Sequence, residues 1–215
     1  MRRSQSGFTL IELLIVISII GTLAAVLLPT ILGAQGAANA EGDRMQMKTH
    51  YEWLQLYKMK HKRALPSAGG HKFVLSTWTA NIFTHTEENL DRFFTPGSRD
   101  NDPDYRIARE SMELGENPWP DLSSVSTVDT HYVGRARKHL RTANDGGEAW
   151  MANDNEGVWT FNDGTVNVLF SDGTRRGYSY QDLEGRFGLG PFNKEEPIET
   201  YGPNSPIPEC QKLDN

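Results

Sequence analysis

Apolar positions are spread unevenly along the 215 residues. Within residues 8–32, eighteen of 25 positions are apolar and only Glu12 is charged. A helix of that length runs roughly 37 Å, enough to cross a bilayer core of about 30 Å. Arg2 and Arg3 precede it, and positive charge there favours a cytoplasmic amino terminus. The helical pattern continues over residues 33–64 in amphipathic form, with Met45, Trp53, Leu54, Leu56 and Tyr57, until Pro66, Gly69 and Gly70 end it. Lys58, Lys60, His61, Lys62 and Arg63 fall in its last turns, where cations suit the helix dipole.

Further on the period changes. Residues 158–161, 166–170 and 175–180 are apolar or alternating runs separated by Asp163, Gly164 and by Asp172, Gly173. Asp-Gly between such runs is a hairpin signal, so a three-stranded antiparallel meander is expected over 158–180. Val166, Val168 and Phe170 would share one face, with Asn167 and Leu169 on the other. Residues 71–132 read less clearly. The run 73–79 is apolar and β-branched, residues 87–94 suit a short helix or a loop, and 99–121 read as long surface loops. Five prolines in residues 191–215 predict an extended or disordered tail that could cover a sheet edge.

Composition sharpens this division. The mean hydropathy of −0.56 and net charge of −6 suggest a polar soluble protein. They hide a membrane-type rod followed by a head with 27 acids and 20 bases beyond Gly33. The acidic balance argues against nucleic-acid partners. Cys210 alone can form neither an intramolecular disulfide nor a multi-cysteine zinc site, and should be a free thiol.

Glu12 needs an explanation, because a carboxylate in a membrane segment is costly. A snorkelling carboxylate or a helix-dipole contact are the plain readings. The run Gly7, Phe8, Thr9, Leu10, Ile11, Glu12, Leu13, Leu14 resembles the processing motif of type IV prepilins and type II secretion pseudopilins. Pro29 falls where such proteins often have a helix-kinking proline. The resemblance implies a leader, residues 1–7, cut between Gly7 and Phe8 by a prepilin peptidase that also N-methylates Phe8. It implies a transmembrane and assembly helix over 8–32. It further implies that the Glu12 carboxylate pairs with the Phe8 amine of the same or a neighbouring subunit, fixing register in a filament. Other pilin or pseudopilin subunits, an inner-membrane assembly platform and the lipid bilayer are the implied partners.

The expected fold is α+β: a long amino-terminal helix whose first half spans the membrane and whose second half packs on a small antiparallel sheet. The globular head covers 65–190 and the tail 191–215. The expected place is the bacterial inner membrane, single-pass, with the amino terminus cytoplasmic and the head periplasmic, or an extracellular filament after assembly. The lone cysteine favours a pseudopilin over disulfide-closed pilins. A non-polymerising, membrane-anchored periplasmic binding domain is the alternative, and an anchored enzyme a third reading.

Residues 167–174 also resemble the end of a prepilin-type family marked by His, nine residues, then Asp-Gly; here Asn162 stands at the histidine position. Candidate calcium ligands are Asp145, Asp154, Glu156 and Asp163, but EF-hand spacing is missing and no metal ligand is assigned. No cofactor is expected. The six histidines are scattered, without a metal or nucleophile motif, so no catalytic residue is assigned. Trp78, Trp119 and Trp150 are open to two readings, a surface interaction site or core packing.

Overall fold

The computed structural model describes residues 8–144, 146–153, 165–188, 190 and 198–214. The chain divides into two compact units, Met1–Ala38 and Asn39–Asn215. The elements in chain order are α1 (Leu10–Lys60), α2 (His71–Thr79), α3 (Glu87–Asp91), α4 (Pro103–Glu113), β1 (Tyr132–Gly134), β2 (Ala149–Asn153), β3 (Val166–Phe170), β4 (Arg175–Tyr178) and α5 (Tyr180–Phe187). The long helix and antiparallel sheet give the expected α+β architecture.

In the second unit the sheet runs β1-β2-β3-β4, every neighbour antiparallel. β3 and β4 form the hairpin the Asp172, Gly173 signal predicts, with Val166 opposite Tyr178. Gly173 takes φ +85°, the left-handed conformation that glycine adopts without strain. On its other side β3 pairs with β2, Ala152 opposite Val168. Alanines at 149 and 152 mask the alternation of β2 in the sequence. Residues 158–161 lie outside the described residues. The last strand also stops at Tyr178, since Ser179 caps α5 through Asp182 in a capping box.

The pleat sorts β3 as its alternation requires. Leu169 joins a core with Met47, Leu54, Trp78 and Trp150. Val166, Val168 and Phe170 join a second core with Tyr178, Leu183, Ile207, Cys210 and Leu213. The second half of α1 therefore covers one face of the sheet, and α5 with residues 198–214 covers the other. Asn167 faces α1: its Nδ2 donates to Ala40 O at 3.0 Å and Asp43 Oδ2 at 2.6 Å. Tyr132 Oη reaches the same aspartate at 2.5 Å. These bonds satisfy polar groups buried at the helix–sheet seam.

The described part of the tail is thus not disordered, and it meets the sheet edge at β1 as the sequence suggests, Asp214 N donating to Gly134 O at 3.3 Å. Ile207, Cys210 and Leu213 are fully buried, and Arg135 bridges Leu213 in antiparallel fashion. Arg135 is itself buried; its Nη1 lies 2.6 Å from Glu148, whose other oxygen accepts from Lys212 at 2.5 Å. This ion triad ties the tail to the sheet without a disulfide.

Two other segments differ from the sequence reading. Residues 73–79 are helical, in α2, with seven of its nine residues buried. A short apolar run has no polar face to reveal its period. Residues 103–113 form α4 rather than loop: Asp102 accepts from Asp104 N and Tyr105 N, both at 2.8 Å, and Pro103 takes the first turn. Trp78, Trp119 and Trp150 are core residues, and each indole N–H finds an oxygen: Asn117 Oδ1, Asp129 Oδ1 and Ala143 O.

His50 lies on the buried face of α1, edge-on to Trp53, Phe93 and Tyr132, with Nε2 2.7 Å from Arg92 O. Burial pushes its imidazole down to about 4. The unfolded chain, whose histidine is ordinary, takes up the proton first as pH falls. Stability is therefore lost from pH about 6.5 down to about 4, by about 3 kcal/mol. Thermal unfolding across that range is expected to show the slope, and His50→Phe to flatten it. An unchanged slope in the variant would assign it to other groups.

Candidate amino-terminal processing and assembly site

Described by itself, the first unit is a helix with no interior. Phe8, Leu10, Ile11, every large apolar residue from Leu13 to Ile17, and those on to Leu32 are exposed. An 18-residue window has mean hydropathy 2.7, with none of it buried. An apolar surface on all sides suits lipid or other helices, not water. α1 stays helical through Pro29, although proline removes one hydrogen bond. Ser18, Thr22 and Thr30 bond back to Leu14 O, Ile19 O and Leu27 O, hiding their hydroxyls.

Thr9 does something else. It stands just before α1, and its Oγ1 accepts from Glu12 N at 3.3 Å. Glu12 Oε2 accepts from Thr9 N at 2.9 Å and Thr9 Oγ1 at 2.6 Å. This reciprocal pair is a capping box. Thr9 and Glu12 have the threonine-x-x-glutamate spacing that signals it. Among the described residues no hydrogen bond reaches Glu12 Oε1. Gly7 lies outside the described residues; Phe8 is 77% exposed.

The family described as Prokaryotic N-terminal methylation motif matches residues 2–28. By this segment the chain is similar to proteins that carry a prokaryotic N-terminal methylation motif. Type II secretion system core protein G of Aeromonas hydrophila is 26% identical over 119 residues, 55% of this chain and 70% of that protein. Type IV wide pilus major component PilA4 of Thermus thermophilus is 65% identical over 57 residues, 26% of this chain and 44% of that protein. Core protein G of Pseudomonas aeruginosa is 38% identical over 58 residues, 27% of this chain and 41% of that protein. The chain thus spans less than half the length of the last two. No solved structure matches it.

The other candidates do not converge. Asp145, Asp154, Glu156 and Asp163 lie outside the described residues, as does Asn162. Nearby Glu148 is engaged by Arg135 and Lys212, and Asn153 holds Asn167 N and Thr165 O. Among the described residues no group of three His, Cys, Asp or Glu could hold a metal ion. Among the described residues an acid–imidazole–hydroxyl chain is present: Asp102 Oδ2 lies 2.9 Å from His131 Nε2, and His131 Nδ1 3.0 Å from Thr95 Oγ1. The backbone N–H of Thr95 also donates to Nδ1 at 3.0 Å. That bond occupies the nitrogen that would act as base, so the chain fastens α4 to β1. Cys210 is a free, buried thiol, and burial pushes its pKa well up.

Proposed function

We propose that the chain is cut after Gly7, methylated at Phe8 by a prepilin peptidase/N-methyltransferase, and polymerised into a filament of the secretion-pseudopilus or type IV pilus kind. Before assembly it is held in the bacterial inner membrane by residues 8–32, amino terminus cytoplasmic and head periplasmic. It works as a structural subunit rather than an enzyme. Its partners are the peptidase, other pilin or pseudopilin subunits, an inner-membrane assembly platform and lipid.

The observation that carries this reading is Glu12, the one carboxylate within residues 8–32, whose large apolar side chains are all exposed. Its Oε2 is held by Thr9, which leaves Oε1 to accept the Phe8 ammonium created by cleavage. In a bundle of such helices an unpaired charge is costly, so pairing selects subunit register. The longest similarity to a core protein G reaches into the head, whereas that to PilA4 covers 57 residues. The first therefore favours the secretion pseudopilus.

Mass measurement of the chain purified from membranes tests the processing step. The expected species starts at methylated Phe8. A chain retaining Met1 in a host with an active prepilin peptidase would overturn it.

A further inference from the structure

Two stretches of the head contain no carboxylate. Residues 53–86 carry Lys58, Lys60, Lys62, Arg63 and Lys72; residues 130–144 carry Arg135, Arg137, Lys138 and Arg141. Nine of the chain's 22 basic residues thus sit in two acid-free stretches of an acidic protein. The fold joins them: Lys58 Nζ donates to Asn144 Oδ1 at 3.0 Å, and Gly70 N to Arg135 O at 3.2 Å. Between residues 64–67 and the 3₁₀ turn Arg137–Thr142 lies an open groove. Leu65, Pro66 and Leu140 give it an apolar floor, and Arg137 and Arg141 an exposed basic rim. Among the described residues neither arginine is in an ion pair.

Residues 87–121 are the converse, with ten acids against four bases. On α4 and its carboxyl-terminal cap, Ile107, Glu110 and Leu114 follow at helical spacing. Ile107 is 62% and Leu114 71% exposed. Glu113 adjoins them, paired only with exposed Arg109 at 3.3 Å, an exchangeable contact of little worth. Exposed Arg106 stands on the same side, so the carboxylates of Glu110 and Glu113 exceed it by one, and the face, apolar and net acidic, complements an apolar floor rimmed by guanidiniums.

We propose that the outer face of α4 in one copy docks into the 64–67/Arg137–Thr142 groove of the next. Ile107 and Leu114 lie against Leu65 and Leu140, while Glu110 and Glu113 pair with Arg137 and Arg141. Arginine forks suit carboxylates in this geometry. The two faces differ, so the contact is head-to-tail and can repeat without closing. It deepens the filament reading and rests on it.

The test uses full-length chains co-produced in cells, one carrying Leu114→Cys and the other Leu140→Cys, treated in intact membranes with a short thiol crosslinker. Buried Cys210 does not compete. A crosslinked dimer is expected only when both variants are present. Adding Arg137→Glu and Arg141→Glu to the second chain should lower its yield about tenfold, and Glu110→Arg with Glu113→Arg in the first should restore it. All four residues are exposed, and unchanged thermal unfolding of each variant checks the fold. No dimer, or a dimer indifferent to charge reversal, overturns the docking. Filament yield from the wild-type chain is scored separately and reports on polymerisation alone.

Discussion

Glu12→Gln is expected to enter the membrane, lose its leader and fail to join filaments. Glutamine keeps the shape and an oxygen for Thr9, so the cap at the start of α1 survives. What it removes is the charge. The Phe8 ammonium would then be buried among apolar helices without a counter-ion, at a cost of about 3–5 kcal/mol. Each 1.4 kcal/mol is about tenfold, so filament recovery should fall by about a hundredfold or more. Glu12→Ala removes cap and charge together and adds about 1 kcal/mol at the helix end. The measurement is filament sheared from cells relative to the membrane pool, with the processed mass as control. Wild-type recovery from Glu12→Gln would reduce Glu12 to a capping residue.

The second large effect lies in the head. Glu148→Ala should destabilise it by about 3 kcal/mol, because Arg135 is buried and loses its carboxylate. The loss is moderated by Ala149 O and His139 O, which still accept from the guanidinium at 2.9 and 3.2 Å. For a head of this size the melting temperature should drop by about 10 °C. Lys212 is released as well, so residues 198–214 should become the first site of proteolysis. The pH dependence has a definite sign. Burial pushes the Glu148 carboxyl up, but hydrogen bonds from Lys212 and Arg135 outweigh it and hold the group below its ordinary value. A depressed carboxylate contributes stability above the ordinary carboxylate range, and that contribution is lost as pH falls through the lowered value. Melting curves at neutral and acid pH check both points. Equal melting of Glu148→Ala and the parent at neutral pH would show the triad to be idle.

The parts of this fold legible in sequence are those with a period and a boundary. The apolar helix, the hairpin at Gly173 and the facing of Val168 and Leu169 each carry a local repeat or turn residue. Residues 73–79 lacked a polar face, so nothing local separated helix from strand. For α4 the signal was present: Asp102 and Pro103 mark a helix start, but the charges around them suggested a loop. β2 was obscured because alanines at 149 and 152 weaken its alternation. The order of the tail is a tertiary matter, since Ile207, Cys210 and Leu213 find their partners on β strands far away in sequence. At the amino terminus the candidates Gly7, Phe8 and Glu12 rest on the motif within residues 2–28, while the capping bond between Thr9 and Glu12 follows from their spacing.

The cover that residues 198–214 lay over the sheet has a consequence for timing. They leave the ribosome after every strand they protect. Until they arrive, Val133, Val168 and Phe170 have only one side of their sheet shielded. The head therefore cannot reach its final state as it emerges, and its outer sheet face stays adhesive until synthesis ends.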